Sequence, residues 1–198
     1  MRRILIIGQS GTGKSTLASM LSDGLNLPWH NGDSMWSMQG GVKRTPDEFK
    51  QHVDETIAKP SWIIDSNYVV ANPKALAAAD TLIWLDYPTV CTAYRYMKRS
   101  AARLLDGETI FGEKRPPTAT FTDIAKDIYW SGCSFMRRQT GLSKTFSPIF
   151  AHPEAYPNLH TLRLTGPGQT RTMLATFGLA AKPTARQRRD ARNVMPQP

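Results

Sequence analysis

Cysteine and acidic residues are scarce in this chain, and long apolar runs are missing. Only two cysteines, Cys91 and Cys133, occur in 198 residues, too few for a disulfide framework and without metal-ligand spacing. Both read as reduced core residues. The histidines His30, His52, His152 and His160 are equally scattered, so no zinc site is expected. No apolar run approaches the roughly 20 residues of a membrane-spanning helix, and no membrane partner is expected. Met1-Arg2-Arg3 followed by Ile4-Leu5-Ile6-Ile7 superficially resembles a secretory leader. The apolar stretch stops at Gly8, however, and so reads as a buried strand. A cytoplasmic protein is the expectation, in the host cytoplasm if the source is viral.

Acids number 16 against 25 Lys and Arg, a net charge of +9. The excess is uneven. Residues 181–198 carry Lys182, Arg186, Arg188, Arg189 and Arg192 against Asp190 alone, and read as a basic tail. Arg95, Lys98, Arg99 and Arg103 form a second cluster, and Arg137, Arg138 and Lys144 a third. Such an excess attracts polyanions, nucleotide phosphates or DNA among them. A solvated face without a partner is the plainer alternative.

What is present is an alternation of apolar strands and amphipathic helices. Strands are predicted at 3–7, 27–30, 62–65, 81–86 and 159–164. Helices are predicted at 14–25, from Pro46 to before Pro60, at 89–105, at 124–139 and, after a Gly166-Pro167-Gly168 turn, in a short stretch to Phe177. Thr45-Pro46-Asp47-Glu48 has the residues of a capping box with proline at the first helical position. Residues 106–122 form a loop of lid length, and 143–157, with three prolines, read as irregular. The pattern implies an α/β fold of three layers: a five-stranded parallel sheet, helices on both faces and a short lid at about 104–122. One domain spans 1–180, followed by the tail.

Gly8-Gln9-Ser10-Gly11-Thr12-Gly13-Lys14-Ser15 fits G-x-x-x-x-G-K-[ST] and continues with Thr16. Glycines allow the tight turn that points successive N–H groups at phosphate oxygens. The helix beginning near Lys14 adds its positive end. Gly11, Thr12, Gly13, Lys14, Ser15 and Thr16 are thus the expected nucleotide site. Lys14 is assigned to the β- and γ-phosphates of ATP, and Ser15 to Mg²⁺. Asp65, ending an apolar strand beside this loop, sits where a carboxylate would hold the Mg²⁺ water shell; a turn acid is the alternative.

Beyond GQSGTGKST, the segments LPWHNGDSMW, TPDEF, PSWIIDSNY, ADTLIWLDYP and YRYMKRSAAR occur in order. On these the chain resembles the adenylate-kinase-related P-loop kinases, most of all the subgroup called DNA topology modulation proteins. It is similar, more distantly, to the phage kinases of hydroxymethyluracil in DNA. The resemblance implies a kinase in which Asp33 accepts the acceptor's hydroxyl proton. Asp33 also fits a turn, Asn31-Gly32-Asp33-Ser34. The resemblance further implies that Arg95, Arg99 and Arg103, spaced by four, and Arg137 or Arg138 neutralise the transferred phosphoryl group. Adenylate kinases continue Asp-Gly-Phe-Pro-Arg after the third strand. Here Asp65-Ser66-Asn67-Tyr68 stands instead, without the arginine that would hold an acceptor phosphate. Trp36, Asn67 and Tyr68 are candidates for acceptor recognition, although a tryptophan such as Trp36 is more often core. The favoured acceptor is a nucleotide-type hydroxyl carried on DNA, such as a 5-hydroxymethyl pyrimidine, and the alternative is a free nucleotide, nucleoside or small metabolite. A non-catalytic, ATP-dependent DNA-binding module is the rival from another class.

Overall fold

A computed structural model describes residues 1–36, 44–70, 72–105, 141 and 144–179, with the backbone alone described for Asp33 and 99–105. The expected helix at 124–139, most of the lid, Arg137, Arg138 and the basic tail lie outside the described residues.

Strand β1 (Arg3–Gly8) contains Ile4, Leu5, Ile6 and Ile7, all fully buried. A strand apolar on both faces has to be covered on both, which places it centrally in a parallel sheet. The remaining strands are β2 (Trp29–Asn31), β3 (Trp62–Asp65), β4 (Thr81–Leu85) and β5 (His160–Leu164). Their order is β2-β3-β1-β4-β5, every pair parallel. The expected fold class is therefore the one observed. All five strands end at the same edge of the sheet, where α/β proteins build their sites.

The two-residue period of the strands divides the core into two layers. On one face Leu5, Ile7, Trp62, Ile64, Leu82 and Trp84 pack with Met35, Val53, Leu76 and Phe146. On the other, Ile4, Ile6, Ile63, Ile83 and Leu85 pack with Leu17, Ala18 and Leu21 of helix α1 (Lys14–Leu25) and with Leu174. A short helix α2 (Gly32–Met35) follows β2. Helix α3 (Pro46–Ile57) has its capping box: Thr45 Oγ1 accepts from the Glu48 amide at 3.3 Å, and Glu48 Oε2 from the Thr45 amide at 2.7 Å.

Several short elements depart from the sequence-based expectation. Neither α2, nor α4 (Asn67–Val70), nor α5 (Pro73–Ala78) was anticipated. The start of α5 nonetheless carries a readable signal: Asn72 Oδ1 accepts from the Lys74 amide at 3.0 Å, and Pro73 follows the cap. After the long α6 (Thr89–Leu105), the segment expected to be irregular contains a helix, α7 (144–151), and a 3₁₀ turn at Pro153–Ala155. The prolines misled. Phe146, Ile149 and Phe150 recur at helical spacing, with Phe146 and Ile149 buried against the sheet, and this outweighs the one backbone bond Pro148 forfeits. The last helix is α8 (Pro167–Thr176).

The two kinds of contact should differ in weight. Leu5→Ala is expected to cost about 2–5 kcal/mol, because the fully packed sheet centre cannot collapse around the void. Thr45→Ala should cost about 1 kcal/mol, through loss of the cap. Urea denaturation of both variants checks the ranking.

Candidate active site

The site begins where β1 runs out. At Gly8 the chain leaves the sheet, and residues 9–13 turn back to start α1. Gly11 and Gly13 have φ of 87° and 95°, a region L-residues with side chains avoid. At Gly11 a Cβ would also meet the Thr92 carbonyl oxygen at 2.7 Å, so glycine lets the loop lie on the start of α6. The first bond of α1 runs from the Leu17 amide to the Gly13 carbonyl at 2.9 Å. Amides of the first helical turn have no carbonyl behind them within the helix, and the positive end of the helix dipole gathers there. Gly13, Lys14, Ser15 and Thr16 line a cavity of about 680 Å³, together with Gln9, Ser10 and Gly11.

Lys14 Nζ donates to the Gly8 and Gln9 carbonyls at 2.7 and 3.2 Å. Thr12, the remaining expected loop contact, is buried and is not among the lining residues. Its amide and its hydroxyl both donate to the Gln9 carbonyl, at 3.2 and 2.8 Å, which braces the turn from inside.

Asp65 ends β3 at the same edge and is only 4% exposed. Its Oδ1 accepts from the Gly32 amide at 3.3 Å, and its Oδ2 from Asn31 Nδ2 at 3.3 Å; Asn31 Nδ2 also lies 3.5 Å from Ser15 Oγ. Burial pushes the carboxyl above the usual range, while hydrogen bonds from the Ser15 hydroxyl and the Gly32 amide, and the Lys14 charge, pull it back. The Ser15 hydroxyl and the Asp65 carboxylate are hard oxygen donors in one hydrogen-bonded cluster, which suits Mg²⁺. Among the described residues no group of three His, Cys, Asp or Glu could hold a metal alone.

The remaining expected residues are distributed as follows. Arg95 lines the cavity, its guanidinium carbon 5.7 Å from the centroid of the Tyr87 ring. Tyr68, 55% exposed, and Asn67 line it too. Trp36 is not among the lining residues: its ring stacks on Phe49 with centroids 3.9 Å apart and planes 7° apart, so one face is already covered. Asp33 lies in α2, immediately after the end of β2; its side chain is outside the described residues. Arg99 and Arg103 continue α6 beyond Arg95, with the backbone alone described.

Sequence reasoning missed Asn31, Ser66, Thr145 and Phe146 as lining residues. Asn31 carried a signal, being a polar residue at the carboxyl end of a strand in a parallel sheet. Thr145 and Phe146 carried none that a motif could supply.

Sheet order and loop together define the class by fold: an α/β P-loop fold with a five-stranded parallel sheet. A shikimate kinase from Acinetobacter baumannii, solved in complex with shikimate, matches with a TM-score of 0.52 and 13% identity, covering 98% of this chain and 96% of that one. A sugar kinase from a Janibacter species (TM-score 0.45, 18% identity, 91% of this chain and 96% of that one) and a gluconokinase from Sinorhizobium meliloti (TM-score 0.45, 14% identity, 98% and 95%) are less similar in shape. The likeness is one of fold, and it does not single out the DNA topology modulation subgroup. No protein-family profile and no curated protein matches the chain. No helix among the described residues is long and apolar enough to cross a membrane.

The raised Asp65 carboxyl has a consequence for stability. The folded state holds this proton more tightly than the unfolded one, so the group's contribution is greatest below its unfolded pKa. That contribution is lost as pH rises through the raised folded value. Relative to Asp65→Asn, the wild-type melting temperature should therefore fall as the solution is taken from acid to neutral. Melting curves of the two proteins across that range check the sign. A wild-type advantage that grows with pH would contradict burial as the dominant cause.

Proposed function

We propose that the protein is a P-loop kinase, moving the γ-phosphoryl group of Mg·ATP to a hydroxyl of a small molecule. The observation that carries this reading is the composition of the cavity wall. The phosphate loop and the end of α1 form part of it. Asn31, the corner Asp65-Ser66-Asn67-Tyr68, Arg95, Gly141, and Thr145 with Phe146 of α7 form the rest. A module that only binds nucleotide needs the first set. The second set adds hydroxyl, amide and aromatic groups to the same cavity, which is what holding a second reactant beside the triphosphate requires.

On this reading Lys14 exchanges the Gly8 and Gln9 carbonyls for phosphate oxygens. Ser15 and Asp65 would hold Mg²⁺, which would supply charge compensation for the nucleotide's phosphates. Asp33, following the end of β2, takes the proton of the acceptor hydroxyl as its oxygen bonds to phosphorus and the bond to the β-phosphate oxygen breaks. Arg95, and with it Arg99, Arg103 and Arg137, neutralises charge on the moving group.

A hydroxyl carried on DNA, such as a 5-hydroxymethyl pyrimidine, is a second reading, and the net charge of +9 favours it. It demands that the base be turned out of the stack to enter the cavity. A small acceptor enters without that step, and the similar fold solved with shikimate takes a small molecule.

Incubation with γ-labelled ATP and a panel of hydroxy acids (shikimate among them), sugars, nucleosides and hydroxymethylated DNA tests the proposal. Label on a small molecule supports it, and label on DNA alone favours the second reading. Free phosphate as the sole labelled product contradicts both and leaves the non-catalytic module. Asp33→Asn should cut transfer by roughly 10²–10⁴-fold with nucleotide affinity unchanged.

A further inference from the structure

Strand β3 ends two residues short of its neighbour. The β1–β3 register pairs Arg3 with Trp62 and Ile6 with Asp65, and continued by two residues it would set Gly8 opposite Asn67. By then the chain has turned into α4, whose start is fixed by Ser66 Oγ accepting from the Tyr68 and Val69 amides at 3.2 and 3.3 Å. The main chain at Asn67 is no longer a strand partner for Gly8. Its side chain takes over. Asn67 Oδ1 accepts from the Gly8 amide at 3.0 Å, and Asn67 Nδ2 donates to the Gly8 carbonyl at 2.9 Å. A carboxamide carries the donor and acceptor of a peptide unit, and asparagine has the reach to present both. On its other side Gly8 is in register with Leu85 of β4.

The Gly8 carbonyl therefore receives two donors, Asn67 Nδ2 and Lys14 Nζ, one for each lone pair. Only one of them can leave without cost. When Lys14 moves to a phosphate, a carbonyl stripped of both would be an unsatisfied polar group at the end of a buried strand. We propose that Asn67 is a positioning residue that stands in for the missing strand residue. It fixes the first peptide of the phosphate loop so that Lys14 is free to transfer to the nucleotide. Asn67 was expected to recognise the acceptor; this inference gives it a different task, and it rests on the nucleotide-binding half of the reading above.

Two measurements test it. In Asn67→Ala without nucleotide, the Gly8 amide should exchange with solvent about tenfold faster or more, while the Leu5 and Ile6 amides keep their protection. Affinity for a non-hydrolysable Mg·ATP analogue should fall by about tenfold. Asn67→Asp guards against an alanine variant that fails to fold, since it keeps the acceptor for the Gly8 amide. Its ionised form has no donor for the Gly8 carbonyl, and its protonated form regains one. Nucleotide affinity of Asn67→Asp, relative to wild type, should thus recover as pH is lowered, whereas Asn67→Ala shows no recovery. Unchanged Gly8 exchange in the variants overturns the inference, as do identical pH profiles for Asp and Ala. If the wild-type protein binds no nucleotide, the kinase reading fails and the Gly8 exchange rate alone decides the role of Asn67.

Discussion

A buried parallel strand has to end somewhere, and at the end of β1 its backbone runs into a turn of left-handed glycines backed by the first turn of α1. That geometry concentrates main-chain N–H groups and the positive helix end at one point. Everything else in the site is arranged about it. Gly11 lets the loop approach the Thr92 carbonyl, Thr12 braces the turn against Gln9, and Lys14 folds over the Gly8 and Gln9 carbonyls. Two hydrophobic layers hold the strand that carries the loop, so the position of the loop is set by core packing.

The sheet edge also gathers charge that packing alone would not favour. Asp65 is buried among the core strands, where its ionised form is costly. Its hydrogen bonds to Ser15, Asn31 and Gly32, and the charge on Lys14, offset part of that cost, and a divalent cation arriving with a nucleotide would offset more. A carboxylate held at such a cost beside a cavity is the kind of group that marks functional sites.

Much of the fold was legible because it rests on local signals. The run Ile4–Ile7, the period of Leu17, Ala18 and Leu21, and the Thr45–Glu48 box each carry their structure in their spacing. What escaped depends on contacts distant in sequence. The α7 segment looked broken by proline until Phe146 and Ile149 had a sheet to cover. Trp36 offered an aromatic face in the sequence, and the fold gives that face to Phe49. The pairing of Asn67, a cavity-lining residue, with Gly8, 59 residues away, becomes visible only with the β1–β3 register.

The central claim is that the loop from Gly8 to Thr16 grips a nucleotide triphosphate with main-chain amides and one ammonium group. Calorimetric titration of Lys14→Ala with a non-hydrolysable Mg·ATP analogue tests it most directly, beside wild type and with melting temperatures showing both proteins folded. The account predicts micromolar-range binding by the wild type and a loss of roughly a hundredfold in the variant, since a charge-assisted contact of about 1.5–3 kcal/mol is removed. Equal affinities would contradict it.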